Sequence, residues 1–314
     1  MKLLITHIDL DGCGSLIINS IFDIKFDKIN FTNYGDSNEL EFLEELKKDD
    51  IVVYTDFSPN ESARKLIKLS NCKCIIYDHH ESVYDEISKW EYDNFEYHYD
   101  ISKSGTKIYY DLIKNNYPNN LVLNEFVELV SVYDLYQKTS PLWEMADKLN
   151  RCFFKTLTYY KQGADKFMSF IKNQVYKCTN FTEFKFSSWE QEKIDKDIQE
   201  EEEIFNELVL HSAKLLKTRK DEDGNYFVVV KLNKKISAIA SRILNKWKKL
   251  QYVIVINTYK NDDWKISIRS RDDFNMLEYK GVKGHPSACA IENCTHDVAK
   301  SIWEGKFYCL EKNH

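Results

Sequence analysis

Two aspartates and a histidine stand together after an apolar run near the amino terminus. The run LLI leads into THIDLDG, which sets His7, Asp9 and Asp11 at the end of a predicted strand. Carboxylates that converge there repel each other and lose hydration, so they need a partner of opposite charge, and a metal ion is the first candidate. The stretch is equally a good turn, because Asp and Gly both suit tight turns. On its own it leaves both interpretations open.

Further residues of the same kinds follow two later apolar runs and lie in one helix-like segment. Asp56 ends VVYTD, while Asp78, His79 and His80 follow CIIY, and Asp134 lies in SVYDLY. Taken singly, an aspartate in a helix is more often capped or ion-paired than a ligand, and a histidine pair is more often surface or core. Taken with the amino-terminal group, they make a site rich in carboxylates, with few imidazoles and no thiolate.

That ligand set predicts the kind of ion. Carboxylate oxygens suit Mn²⁺ or Mg²⁺ better than Zn²⁺, and imidazole favours Mn²⁺ of the two. The number of ligands is enough for two ions about 3.5 to 4 Å apart, with one carboxylate between them.

The elements that must position these residues alternate between strand and helix. Over the first 80 residues, KLLIT, KINFTNY, DIVVYTD and CKCIIYD are strand-like, and the segments between them have helical spacing. This alternation predicts an α/β fold with a doubly wound parallel sheet. Ligands of such sheets bind outside the carboxyl ends of the strands, where the acidic residues lie.

The rest of the chain predicts a second domain. Helical patterns continue to about residue 185, and the charged segment 188–220 is predicted to be a long linker helix. Strand-like YFVVVKL, YVIVINTY and WKISIRS then flank one helix, which predicts a smaller α/β domain. The predicted bounds are 1–187 for the first domain, 188–220 for the linker and 221–314 for the second domain.

Composition limits the class of protein. The chain has 314 residues, a net charge of -6 and eight cysteines without a CxxC pair, so a zinc ribbon and long duplex DNA as a partner are disfavoured. The apolar amino-terminal run is too short for a signal peptide, and no window resembles a membrane span, so we expect a cytoplasmic protein without a membrane partner. The long helix could pair with a second copy in a homodimer.

Four motifs in order resemble those of the DHH phosphoesterases. They are HIDLDG, YTDFSP, YDHH and VYDLY. Near the carboxyl terminus, ISIRS (266–270) and GVKGHPSACA (281–290) resemble the DHHA1 domain that usually follows, with a degraded form of its GGGH signature. The resemblance covers both ends of the chain. It departs from the family at Ile5, where many members have a histidine, and at Lys283, where glycine is commoner.

The resemblance implies a role for each matched residue. One ion would be held by His7 and Asp9 and the other by Asp11, His79 and Asp134, with Asp56 between them. Asp78 would orient His79, and His80 would face the substrate phosphate. The implied substrate-binding residues of the second domain are Arg269, Arg271, Lys283, Gly284 and His285.

The implied activity is Mn²⁺-dependent phosphodiester hydrolysis on short oligonucleotides or dinucleotides, with Mg²⁺ as the alternative ion. Alternative substrates are pyrophosphate, polyphosphate and 3'-phosphoadenosine 5'-phosphate. A non-catalytic nucleotide-binding protein is the alternative of another class, and the aromatic segment EYDNFEYHYD would suit a protein-interaction module.

Overall fold

A computed structural model describes residues 1–33, 38–159, 163–178, 184–221, 223–258, 264–271, 274–279, 281–285, 287–291 and 295–305. The chain divides into two compact units, Met1–Asp195 and Lys196–His314. Within the described residues, no helix combines the length and the apolar character that a membrane span requires.

The first unit is built on five parallel strands in the order β2-β1-β3-β4-β5. The strands are β1 (Lys2–His7), β2 (Lys28–Thr32), β3 (Ile51–Thr55), β4 (Lys73–Asp78) and β5 (Phe95–Tyr99). The first four were predicted from the sequence. The fifth lies in the polar aromatic stretch, where the mixture of tyrosines and charges obscures the pattern of a strand.

Helices cover both faces of this sheet. They are α1 (Leu10–Ile21), α2 (Asn38–Leu43), α3 (Glu61–Ser70), α4 (Glu81–Ser88), α5 (Gly105–Ile113), α6 (Leu121–Asp134), α7 (Trp143–Tyr159) and α8 (Gly163–Lys177). Side chains alternate across strand β1, so that Leu4 joins the core under α1 and α6, while Leu3 and Ile5 join the core under α2 and α3. Burial of each such side chain stabilises the sheet by about 1.5 to 3 kcal/mol. The predicted doubly wound parallel sheet is confirmed.

The second unit holds a mixed six-stranded sheet in the order β10-β11-β9-β8-β7-β6. Its elements are β6 (Lys217–Lys220), β7 (Tyr226–Lys231), α11 (Ile236–Lys246), β8 (Tyr252–Thr258), β9 (Trp264–Ser270), β10 (Val282–His285), β11 (Ala288–Ile291) and α12 (His296–Glu304). Strands β7 and β8 are parallel and the other neighbours are antiparallel. The smaller α/β domain predicted from the sequence is therefore present.

The helix predicted over 188–220 is shorter than expected. Helix α9 (Ser188–Leu210) begins where it was predicted and is followed by α10 (Ser212–Leu215), and β6 then pairs with β7. The helical spacing of apolar residues ends near Leu208, and the alternating segment beyond it forms the edge of the sheet. Pairing with β7 decides the structure there, since a strongly charged segment carries little preference of its own.

A buried glutamate connects helix α2 to the sheet. The carboxylate of Glu39 accepts a hydrogen bond from the Tyr54 hydroxyl at 3.0 Å and from the Asn60 amide at 2.7 Å. Burial raises the pKa of Glu39 to about 7, although the Tyr54 hydrogen bond acts in the opposite direction. The folded chain therefore holds a proton that the unfolded chain releases near pH 4.5.

We predict that Glu39→Gln removes this pH dependence. Between the two pKa values the folded state binds more protons than the unfolded state, so the free energy of unfolding of the unmodified chain falls as pH rises through the window. The neutral amide mimics the protonated acid, and the variant should gain on the order of 2 kcal/mol over the unmodified chain between about pH 5 and about pH 8. Urea unfolding at both pH values measures this, with the exposed Glu41→Gln as control. Parallel pH profiles for Glu39→Gln and the unmodified chain would contradict the assignment.

Candidate metal centre

The carboxyl ends of β1, β3 and β4 bring the predicted ligands to one edge of the sheet. The strand order reverses between β1 and β3, because β2 lies on one side of β1 and β3 on the other. In doubly wound sheets this point opens a crevice for ligands. His7 ends β1, Asp56 directly follows β3, and Asp78 ends β4, so the crevice is lined by acidic and imidazole groups.

Asp9 serves as both a helix cap and a member of the cluster, so the two interpretations of DxDG are compatible. It precedes α1 and accepts the Gly12 N–H at 2.9 Å, as an N-cap residue does. Its other oxygen lies 2.7 Å from His7 Nδ1. Burial raises the pKa of Asp9, but the charge and hydrogen bond of His7 and the Gly12 N–H outweigh it, and the net shift is downward.

Asp11 is held by the amino terminus of α5. Its two carboxylate oxygens accept the N–H groups of Gly105 at 2.7 Å and Thr106 at 3.0 Å. A Cβ atom at Gly105 would lie 2.6 Å from the Cα atom of Asp56, so only glycine lets the helix approach this closely. This support was missed in the sequence, where Ser104 before Gly105 was the available signal of a helix start.

Asp56 lies in the middle of the cluster, where both its backbone conformation and its buried carboxylate are energetically unfavourable. Its φ is 53°, in the left-handed region that costs most residues about 1 kcal/mol or more. Its side chain is 1% exposed, and neither carboxylate oxygen accepts a hydrogen bond within the described residues. Burial and the charges of Asp11, Asp9 and Asp134 raise the pKa of Asp56 well above its usual range.

His79 connects Asp56 with the end of α6. Its Nε2 lies 3.3 Å from Asp56 Oδ1, 3.1 Å from Asp134 Oδ2 and 4.0 Å from Asp11 Oδ2. Neither His79 Nε2 nor Asp134 Oδ2 makes an aligned hydrogen bond within the described residues. Burial, followed by the charges of Asp11 and Asp9, raises the pKa of Asp134 well above its usual range.

Asp78 contacts the ring of His80 rather than that of His79. Its Oδ1 lies 2.7 Å from His80 Nδ1 and also accepts the backbone N–H groups of both histidines, while the Ser58 hydroxyl donates to Oδ2. Burial raises the pKa of Asp78, but the charge and hydrogen bond of His80 outweigh it and hold that pKa at about 2. Asp78 therefore stays ionised and fixes the orientation of His80, not of His79 as the resemblance implied. The contribution of Ser58 was not foreseen.

The buried polar atoms without partners match what a divalent cation would bind. Ligand atoms lie within 4.8 Å of one another in three overlapping groups, which are His7, Asp9 and Asp56; Asp11, His79 and Asp134; and Asp56, Asp78, His79 and His80. Four of these buried atoms lack a hydrogen-bond partner within the described residues, namely both oxygens of Asp56, His79 Nε2 and Asp134 Oδ2. Oxygen and imidazole donors in this mixture fit Mn²⁺ or Mg²⁺. The assignment of each ligand to an ion stays a prediction.

The predicted substrate-binding arginines of the second unit differ in their surroundings. Arg269 on β9 donates to the Ser237 hydroxyl at 2.7 Å, near the start of α11, and to the carbonyl oxygen of Ile268 at 2.8 Å. Arg271 donates to the carbonyl oxygens of Leu244 and Leu250, each at 2.7 Å, and so stabilises the corner after α11. The substrate contact predicted for Arg271 stays a prediction beside this structural role.

The remaining predictions of substrate contacts fall on strand β10. Lys283, Gly284 and His285 pair with Ala290, Cys289 and Ala288 of β11. The side chains of Lys283 and His285 lie outside the described part of the structure, so their roles stay predictions.

We predict that Asp56→Asn makes the thermal stability of the chain nearly independent of Mn²⁺. Asn tolerates the left-handed backbone and removes the repelled charge, so the metal-free variant should be more stable than the unmodified chain by on the order of 1 kcal/mol. Mn²⁺ should raise the melting temperature of the unmodified chain but leave that of the variant nearly unchanged. Thermal unfolding with and without Mn²⁺ measures this, with Asp147→Asn, which alters a half-buried ion pair with Arg151 within α7, as control. An equal Mn²⁺-induced shift in both proteins would remove Asp56 from the ligand set.

Comparison with known proteins shows the fold. No protein-family model and no curated protein sequence matches the chain. The solved structure of PggH, a pGpG-specific phosphodiesterase from Vibrio cholerae, is similar with a TM-score of 0.55 and 14% identity, over 97% of each chain. RecJ from Thermus thermophilus, solved in complex with Mn²⁺, is similar with a TM-score of 0.58 and 11% identity, over 97% of this chain and 51% of RecJ.

This chain therefore spans about half the length of RecJ. At these identities the likeness concerns the fold alone, and it agrees with the four ordered motifs and with the positions they take at the ends of β1, β3, β4 and α6. The chain has the fold of the DHH phosphoesterase family.

Proposed function

We propose that the chain is a phosphodiesterase that hydrolyses dinucleotides or short oligonucleotides and depends on two Mn²⁺ ions. The observation that carries this proposal is the group of buried carboxylate oxygens around Asp56 that lack hydrogen-bond partners within the described residues. PggH, which has the same fold, is a phosphodiesterase specific for pGpG, and RecJ was solved with Mn²⁺. The first likeness supports the chemistry and the second supports the choice of ion.

Asp56 has the position that a shared ligand requires. Its Oδ2 lies 3.7 Å from His7 Nδ1 and its Oδ1 lies 3.3 Å from His79 Nε2, so its two oxygens face the two groups of ligands. His7 and Asp9 would hold one ion, and Asp11, His79 and Asp134 the other. Bound ions of this kind lower the pKa of water toward 7 and offset charge on the phosphoryl oxygens.

His80 is the residue that we assign to the substrate phosphate. Its side chain is 23% exposed, and the ionised Asp78 fixes its Nδ1, so its Nε2 is directed away from Asp78. With Nδ1–H directed to Asp78, the imidazolium form of His80 would carry a second proton at Nε2, and this N–H would donate to the phosphoryl oxygen and stabilise its charge as the leaving group departs. Its ring centroid lies 4.5 Å from that of His79, which places it beside the ligands.

The substrate contacts predicted on the second unit remain part of the proposal. Arg269 presents a planar guanidinium suited to a phosphate, and we retain Lys283, Gly284 and His285 as predicted contacts. The net charge of -6 provides no broad basic surface for a long duplex, which favours short substrates.

A substrate panel tests the proposal. The metal-stripped protein is assayed with and without Mn²⁺ or Mg²⁺ on a dinucleotide, a short RNA, a cyclic dinucleotide, 3'-phosphoadenosine 5'-phosphate, pyrophosphate and polyphosphate. We expect Mn²⁺-dependent cleavage of the dinucleotide or the short RNA. Cleavage of pyrophosphate or polyphosphate alone would contradict the substrate class. Binding of nucleotides without turnover of any substrate would indicate a non-catalytic protein.

We predict that His80→Ala lowers kcat for the best substrate by about a hundredfold or more, because it removes a charge-stabilising donor. Mn²⁺ affinity should change little, since the two groups of ligands assigned above remain. Steady-state kinetics and Mn²⁺ titration of the same variant separate these effects. His98→Ala, which alters a ring stacked on Tyr77 outside the cluster, is the control. A loss of Mn²⁺ binding in His80→Ala would make His80 a ligand instead.

A further inference from the structure

An aromatic and basic cluster lies in the turn after α6, the helix that ends at Asp134. Tyr136 follows Asp134 by two residues, and its ring meets the Trp143 ring edge to face at 5.2 Å and 86°. The Nζ atom of Lys138 lies 4.3 Å from the centroid of the Tyr136 ring and 5.8 Å from that of Trp143. None of these three residues has a role in holding the ions.

The turn itself does not explain a tyrosine at this position. The N–H of Gln137 donates to Val132 O and that of Tyr136 to Tyr133 O, both at 3.0 Å, which is the Schellman arrangement at the end of a helix. Tyr136 has a φ of 56°, in the left-handed conformation that this position normally gives to glycine. Glycine at position 136 would adopt this conformation with less backbone strain, so the tyrosine lowers the stability of the turn.

The ring is also held in place. Trp143 stacks on Tyr133 at 5.6 Å with an angle of 12° between the ring planes, and both pack against the core of the first unit. Tyr133 directly precedes Asp134, so the aromatic pair and the ligand are attached to the same end of α6. The ring of Tyr136 is half-buried against Trp143. The Cα atom of Tyr136 lies within about 7 Å of that of Asp134, because two residues of chain span no more than that.

We propose that Tyr136, supported by Trp143, stacks on the base of the nucleotide whose phosphate lies at the metal centre, and that Lys138 binds a neighbouring phosphate. The proposal rests on the proposed function and names its base-binding surface. Aromatic rings stack on every base, so this surface provides affinity for a nucleoside rather than sequence preference. Lys138 would exchange its contact with the ring for a charge-assisted pair with phosphate, which is the stronger of the two.

The test compares a dinucleotide with the same dinucleotide lacking the base of the nucleotide bound at the metal centre. Tyr136→Gly removes the ring and suits the backbone, Tyr136→Asn removes the ring with a residue that also tolerates the left-handed region, and Tyr136→Phe keeps the ring. KM and kcat are measured with Mn²⁺ for both substrates, and thermal unfolding checks each variant.

We expect Tyr136→Gly and Tyr136→Asn to raise KM for the intact dinucleotide by about tenfold, with little change in kcat. KM for the base-free substrate should stay the same, and Tyr136→Phe should retain the low KM of the unmodified chain. An equal rise for both substrates would assign the ring a structural role and overturn the proposal, as would an unchanged KM for the dinucleotide. If the unmodified chain cleaves only pyrophosphate or nothing, the proposed function itself fails and this proposal fails with it.

Discussion

The central constraint on the structure is the electrostatic repulsion among the carboxylates that are buried around Asp56. Asp56 lies within a cluster that also contains Asp9, Asp11 and Asp134, and its own pKa and that of Asp134 are raised well above their usual range by burial and by neighbouring charge. A fold of ordinary stability has little free energy to spare for such a cluster. A divalent cation would offset this repulsion, because it would attract each of the carboxylates that repel one another.

The backbone divides the carboxylates into two groups. Asp9, Asp11 and Asp78 each accept at least one backbone N–H, so their positions are fixed by α1, by α5 and by the turn after β4. Asp56 and Asp134 retain buried oxygens without a donor within the described residues. Backbone hydrogen bonds hold the first group in place, and the second group is the part of the site whose interactions a cation would complete. Asp78 also orients the ring of His80, which lies next to that of His79.

Much of this arrangement could be predicted from the sequence, because strand ends and charges are local signals. The apolar runs before His7, Asp56 and Asp78 were sufficient to place these residues at one edge of a parallel sheet. The support from Gly105 could not be predicted, since it depends on a close approach between residues far apart in the chain. The backbone contacts of Arg271 could not be predicted for a similar reason. Its partners are backbone carbonyl oxygens, which every residue carries and which leave no mark in a sequence.

The most direct test of the central claim is the number and spacing of the ions that the chain binds. Equilibrium dialysis with Mn²⁺ gives the stoichiometry, and electron paramagnetic resonance of the same samples shows whether the bound ions are magnetically coupled. We expect two Mn²⁺ per chain with the coupled spectrum of ions about 3.5 to 4 Å apart. A single uncoupled ion, or no bound ion at Mn²⁺ concentrations that support hydrolysis, would contradict it.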